Sequence, residues 1–518
     1  MRTDELIVTP GKRYKVKAGA AASVAADCGA LSNAVHQLPQ ETLVVCAEAR
    51  SDGRGGQHVR ISSPAGWMRA DDLEPAAPPP SLMLDWEIFQ ERHQQLAPGD
   101  AYRLEFPFTL DMLRAFGAEF LTEAFRASGA MPADNRVTEI VALRPLDVQG
   151  ASDNAFLTVA YEKPDPELAT ELFVKLPSDS MGHKFALSAM SHGEVEIARL
   201  SRKGIVPVRM ANYYYGDFSS ATTNYILITE KIKFGVAPIE AAYRKGYDHE
   251  VPEAAEHYRA LTKALARLVA AHKTGAMGDD LEEIFPFARA ARNFRPLASP
   301  EIKIDRLIDF IGRIAPQLFV AEATDPAFLQ QWRQDLLFGL DNKDAVIAYL
   351  HDDVDYTGLC HPNLNVDNAW YWREPSGELQ VGLLDWGGAG QMSIGQALSG
   401  MLMMPEPHTY LPLVREMIAL FVTEYEKNGG LALDVDELLF HYKASLFSTA
   451  IWIILDILTD MLFQFSEDDY ASMKDRLDVR LQESGLCSGI VWIDNILRDW
   501  LDELTPGDVC RRIVAQNG

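Results

Sequence analysis

The stretch from Cys360 to Gly388 concentrates the residues that could do chemistry. It opens Cys360-His361-Pro362-Asn363-Leu364-Asn365-Val366-Asp367-Asn368 and closes Leu383-Leu384-Asp385-Trp386-Gly387-Gly388. The amide oxygen of Asn368 and the carboxylate of Asp385, placed at the end of an apolar strand, are hard ligands of the kind Mg²⁺ takes. Asn363 carries an amide, which cannot accept a full proton near neutral pH. Far upstream, Glu171-Leu172-Phe173-Val174-Lys175-Leu176 reads as a strand with one Lys in an apolar run. A Lys so placed needs a partner. Each signal alone also fits a loop Asn, a strand-end Asp or an edge-strand Lys in an unrelated enzyme.

Together the residues from Cys360 to Gly388 resemble the catalytic and metal-binding core of the aminoglycoside phosphotransferase and choline kinase family, a branch of the protein-kinase-like fold. That pattern runs His-x-Asp-x-x-x-x-Asn, then a strand ending in Asp-Trp or Asp-Phe. His361, Asn368 and Asp385 fit it, and Asn363 stands where the catalytic Asp is expected. The resemblance implies that Asn368 and Asp385 hold Mg²⁺ on ATP, that His361 braces the loop, and that Asn363 orients the acceptor hydroxyl without being its base. It implies that Lys175 contacts the phosphates and pairs with a helix Glu. Within His192–Leu200, Glu194 is the better match and Glu196 the fallback. Gln149–Asn154 is similar to the family's phosphate-covering turn, with Gly150, Ser152 and Asn154 as its cofactor-binding residues. Tyr225–Ile232 is similar to the strand entering the hinge, whose backbone near Glu230 and Ile232 would hold the adenine edge. The resemblance covers about 136–465. Pro362, where Gly is usual, is a second departure.

The missing carboxylate divides the functional expectation. One reading is an ATP- and Mg²⁺-dependent phosphotransferase that acts on a hydroxyl of a small molecule. The alternative is a pseudokinase that binds nucleotide or only scaffolds partners. Loss of a general base typically costs about 10²–10⁴-fold. Phosphoryl transfer nevertheless rests mainly on positioning and charge neutralisation, so residual turnover is physically possible. Asp367, Asp352, Asp353 and Asp355 offer no ready substitute. Nucleotidylation on the same scaffold has no positive sign.

These residues need elements to position them. The expected fold class is α+β: a bilobal kinase-like fold, with a β-rich small lobe and a helical large lobe, preceded by a small all-β barrel. The expected divisions are a barrel over 1–75, a Pro-rich linker over 76–100 and a helical lead-in over 101–135. The small lobe follows over 136–235 and the large lobe over 236–518. Short β-branched runs between Gly-rich turns predict the barrel, and Gly66–Leu73 resembles the last strand of a Src-homology-3-like domain. Trp67 there either packs the barrel or lines a groove for a Pro-rich segment. Leu110, Leu113, Phe116, Phe120 and Phe125 fall near one helical face. Tyr213–Tyr215 reads as a hairpin or lobe surface, and Asp434 with Glu437 resembles a capping box.

Composition narrows the partners. The chain has 518 residues, 47% of them apolar, and a formal net charge of -26. Such a surface repels nucleic acid and anionic lipid. The expected partner is a small-molecule acceptor, or a protein bound through the barrel. Five scattered cysteines predict a reducing, cytoplasmic setting. The apolar run Phe447–Phe465 is broken by Asp456 and Asp460, which predicts a buried helix rather than a membrane span.

Overall fold

A computed structural model describes residues 7–20, 22–28, 34–51, 56–146, 152–290 and 297–517. The chain is α+β as expected, with most strands before Glu230 and most helices after it. It divides into two compact units that interleave in sequence. The first comprises Met1–Ala77, Ala242–Ala369 and Gly390–Gly518, and the second Pro78–Ala241 and Trp370–Ala389.

In the first unit, seven strands form one sheet: β1 (Arg13–Val16), β2 (Ala22–Ala25), β3 (Ala34–Leu38), β4 (Leu43–Ser51), β5 (Gln57–Ser62), β6 (Ala65–Arg69) and β7 (Leu73–Pro75). Their order is β3-β2-β6-β5-β4-β1-β7. Alternate residues face inward, as a pleated strand requires. Val16, Val24, Val44, Val59, Ile61 and Met68 thereby fill one small core. Trp67 is only 6% exposed, and the Arg50 guanidinium lies 4.8 Å from its ring centroid. Of the two expectations for Trp67, packing is the one observed.

The helices of this unit surround a short antiparallel pair, β14 (Thr357–Cys360) and β17 (Gly390–Ser393). Helix Ala254–Lys273 has an apolar face that includes Leu261, Leu265, Leu268 and Val269. Asp434 accepts from the Glu437 amide at 2.9 Å, one half of the expected capping box. The Asp434 amide donates instead to the Tyr356 hydroxyl. Helical residues Val435–Leu462 are long and apolar enough to cross a membrane by length and composition, and 56% of that window is buried in the fold.

A buried ionic network ties three of these helices together. Lys443 Nζ donates to Asp499 Oδ1 at 2.7 Å and to Asp502 Oδ2 at 2.9 Å. The Tyr410 hydroxyl donates to Asp499 Oδ2 at 2.6 Å. The Lys443 and Asp499 side chains are both 0% exposed. Removing one partner of such a pair strands the other charge, at a cost of about 3–5 kcal/mol. Lys443→Met is therefore expected to lower the urea midpoint by that equivalent. Lys443→Met with Asp499→Asn should recover part of the loss.

The second unit is built on a five-stranded antiparallel sheet. Its strands are β8 (Val137–Pro145), β9 (Ser152–Tyr161), β10 (Glu171–Pro177), β12 (Tyr213–Phe218) and β13 (Tyr225–Glu230), in the order β12-β13-β10-β9-β8. β10, which carries Lys175, is central, so Lys175 is not on an edge. Helix Leu110–Ala127, capped by the Thr109 side chain, buries Leu113, Phe120, Leu121, Ala124 and Phe125. The remaining two positions of the expected stripe, Leu110 and Phe116, are half-buried against the same core. Tyr213, Tyr214 and Tyr215 lie in β12, which forms an antiparallel hairpin with β13, the first of the two expectations; all three are buried, so they are not a lobe surface. A second sheet, ordered β11 (Arg209–Met210), β16 (Leu379–Leu383) and β15 (Ala369–Arg373), delivers the chain to Asp385.

Candidate functional site

Helix Met181–Arg202 sets the carboxylate against the β10 lysine. Lys175 Nζ lies 2.8 Å from Glu194 Oε2 and 2.6 Å from Asp385 Oδ1. The Lys175 and Glu194 side chains are 13% and 6% exposed, while that of Asp385 is 53% exposed. Burial alone would lower the lysine's affinity for its proton, but Glu194 and Asp385 together hold the ammonium well above its ordinary range. Burial presses Glu194 toward its neutral form, and Lys175 opposes it. Glu196, the fallback, pairs with Arg199 on its own helix.

Close backbone approach holds this arrangement. The Gly388 amide donates to Met190 O at 2.9 Å, and the Trp386 backbone amide donates to the Glu194 carboxylate. A Cβ added at Gly193 would lie 2.0 Å from Ala389 O. Gly193 is thus the residue that lets the helix meet the Asp385 segment. Gly193→Ala is expected to cost about 1–3 kcal/mol through overpacking, read as a lower urea midpoint. Asp385 itself sits at φ 53, a left-handed conformation that Asp tolerates better than most residues.

The phosphate-turn residues fall differently from expectation. Ser152 and Asn154 belong to β9, paired opposite Pro177 and Lys175, and not to a turn. The antiparallel ladder continues to Ser152, so the connection expected over 149–154 is shorter at that end. The register places Asn154 beside Lys175, and Ser152 Oγ donates to Asn154 Oδ1 at 3.2 Å. Gly150 lies outside the described residues. At the end of β13, the Glu230 amide donates to Asn212 O and the Lys231 amide to Glu171 O. The Glu230 carboxylate accepts from the Asn212 amide and side chain at 2.9 and 3.0 Å. Ile232 follows, half-buried, where the chain leaves the sheet.

His361, Asn363 and Asn368 come together in the first unit, on the loop after β14. His361 is fully buried, and its Nδ1 accepts from the Asn363 amide at 3.2 Å. Asn368 Nδ2 donates to Asn363 O at 2.6 Å. Its NH₂ group therefore braces the loop, leaving Oδ1 as the hard oxygen suited to a cation. The Asn363 side-chain oxygen accepts from Asn365 Nδ2. Asn363 keeps its NH₂ group as a donor, with one lone pair of its oxygen taken by Asn365. Helix Ile394–Met401 presses on this loop, for a Cβ at Gly400 would lie 2.0 Å from Pro362 O.

Two residues beyond the expected set are involved. Asn365 fixes the Asn363 amide, and its own Oδ1 is buried with no partner among the described residues. Asp248 is buried, accepts from the Tyr258 hydroxyl at 2.5 Å, and is pushed up to about 7 by burial, with Asp367 adding to the rise. No motif marks either residue. An Asn two positions past Asn363 was the one available sign.

A lysine on the third strand of an antiparallel small lobe, paired to a helix glutamate, is the arrangement of the protein-kinase-like fold. No family model and no curated protein matches the chain. Among solved structures, it is similar to the GDP complex of wild-type aminoglycoside 2'-phosphotransferase-IIIa, at 15% identity over 69% of this chain and 94% of that one, with a TM-score of 0.34. Choline kinase LicA from Streptococcus pneumoniae is 13% identical over 68% and 94%, with a TM-score of 0.32. Amicoumacin kinase hAmiN in complex with AMP-PNP, Ca2+ and Ami is 13% identical over 67% and 87%, with a TM-score of 0.33.

Proposed function

We propose that this chain binds Mg²⁺-ATP and transfers a phosphoryl group to a hydroxyl of a small molecule, with turnover held down by Asn363. The observation that carries the reading is the Lys175 ammonium held between Glu194 and Asp385. A buried cation with two carboxylates is costly unless positioned for a purpose, and phosphate oxygens would compete for it. By the family resemblance, Asn368 and Asp385 are each assigned as ligands of Mg²⁺, which neutralises phosphate charge when bound. The Glu230 carbonyl and Ile232 amide would meet the adenine edge. Five cysteines without a disulfide suit a reducing cytoplasm.

A second reading, a nucleotide-binding pseudokinase, is favoured by one specific observation. The side chain at 363 is an amide held by Asn365 Nδ2, and an amide takes up no proton near neutral pH, so no base stands at that position. One paired measurement tests both readings. Mg²⁺-dependent ATP binding is followed by thermal shift, and ATP turnover is followed with a panel of hydroxyl and amine acceptors. Absence of an ATP-dependent shift would sink both. Binding without turnover on any acceptor would leave the pseudokinase.

A further inference from the structure

Within the first unit, the N-terminal β-module grips the helical part at three points, and all three lead to the β14–β17 pair. Arg60, on β5, makes a bidentate pair with Asp355, with 2.7 Å from Nη1 to Oδ1 and 2.7 Å from Nη2 to Oδ2. Asp355 lies just before β14. Such fork-to-fork pairs fix direction as well as distance. Ser63, just past β5, donates through Oγ to His272 O at 2.5 Å. The His272 ring in turn accepts from the Leu359 amide, within β14, at 3.3 Å. Arg13, on β1, lies 3.2 Å from Glu282 Oε1 and donates to Glu282 O at 3.0 Å. Glu282 Oε2 accepts from Gln391 Nε2 at 2.8 Å. Gln391 is the residue of β17 paired with Leu359. Val45, Phe287 and Val354 seal the contact with apolar surface.

A module held only as a tether would need no such convergence. β14 runs directly into His361 and the Asn363–Asn368 loop. We infer that the N-terminal β-module braces this loop, with Arg60, Ser63 and Arg13 as positioning residues acting through Asp355, His272 and Glu282. Its consequence for turnover rests on the phosphotransferase reading, but the brace itself does not. Where catalysis is mostly positioning, a displacement of about 1 Å can cost 10²-fold, so bracing the loop would set kcat more than nucleotide affinity.

The test is hydrogen–deuterium exchange on the full-length, nucleotide-free chain. In Arg60→Ala, the amides from Leu359 to Asn368 should exchange at least tenfold faster, while those of helix Tyr410–Lys427 keep wild-type protection. Reversing the pair, Arg60→Asp with Asp355→Arg, should restore most of the protection. Unchanged exchange at the loop, or an equal rise throughout the helices, overturns the brace. Should Arg60→Ala fail to fold, Ser63→Ala removes a single hydroxyl, and at least a threefold rise confined to the Leu359 region is required. Where the wild type turns over, kcat should fall about tenfold in Arg60→Ala with KM for ATP unchanged, and a matching rise in KM overturns positioning. Failure of wild type to bind ATP would sink the proposed function, while the exchange result would still decide the brace.

Discussion

Asn363→Asp is expected to raise kcat by about 10²–10⁴-fold, the usual worth of a general base. The exchange is isosteric, and the loop is prepared for it. The Asn363 amide hydrogen bond to His361 is a backbone contact and survives. Asn365 Nδ2, which now donates to the Asn363 side-chain oxygen, would donate equally to a carboxylate. That bond occupies one oxygen and leaves the second to take the acceptor proton. The bracing bond from Asn368 also goes to the Asn363 backbone, so the candidate cation ligand stays in place. Steady-state turnover at saturating Mg²⁺-ATP over a hydroxyl panel reads the effect. A variant within threefold of a measurably active wild type would mean that this position carries no proton-transfer burden. Turnover gained by the variant from a silent wild type would identify the natural protein as a pseudokinase.

Lys175→Met is expected to abolish the ATP-dependent thermal shift and to destabilise the apo chain by about 3–5 kcal/mol. The two effects have different causes. At ATP 100 times its Kd, the wild type gains about 2.7 kcal/mol from binding, and that gain requires the ammonium. The loss of apo stability arises because Glu194, almost fully buried, is left without its cation. Burial already presses Glu194 toward protonation, so the carboxyl relieves part of the cost by taking up a proton. Adding Glu194→Gln to Lys175→Met should restore much of the melting temperature and none of the ATP response. Recovery of both in the double variant would show that Lys175 serves only the fold.

The part of the site legible in the sequence is the part that costs the most to misplace. A lysine in an apolar strand demands a carboxylate, and Glu194 is there. Asn368 and Asp385 stand out only through their spacing from His361, since an Asn or Asp at a loop end has many ordinary uses. Register was not legible. Ser152–Asn154 carries turn-like residues, yet the ladder with β10 extends through it because Lys175 and Pro177 continue the opposite strand. Tyr213–Tyr215 is legible as part of a hairpin, but its burial is not, since three phenols in a row look polar while neighbouring elements cover both faces of β12. No motif marks Asn365, because its role lies in one bond to its neighbour Asn363. Nor does anything mark Arg60 and Asp355 as partners. They are ordinary charges 295 positions apart, and only the docking of the β-module brings them together.

That separation has a consequence during synthesis. The β-module leaves the ribosome well before Asp355, and the whole of 78–241 is made in between. At roughly 5–20 residues per second, the stretch from Ala77 to Asp355 takes on the order of 14–56 s to translate. Through that interval Arg60 has no Asp355 to pair with, while His272 and Glu282, the partners of Ser63 and Arg13, are made earlier within it. Of the three contacts that hold the β-module, the Arg60–Asp355 pair is therefore the last whose partner is made, tens of seconds after the module's own residues.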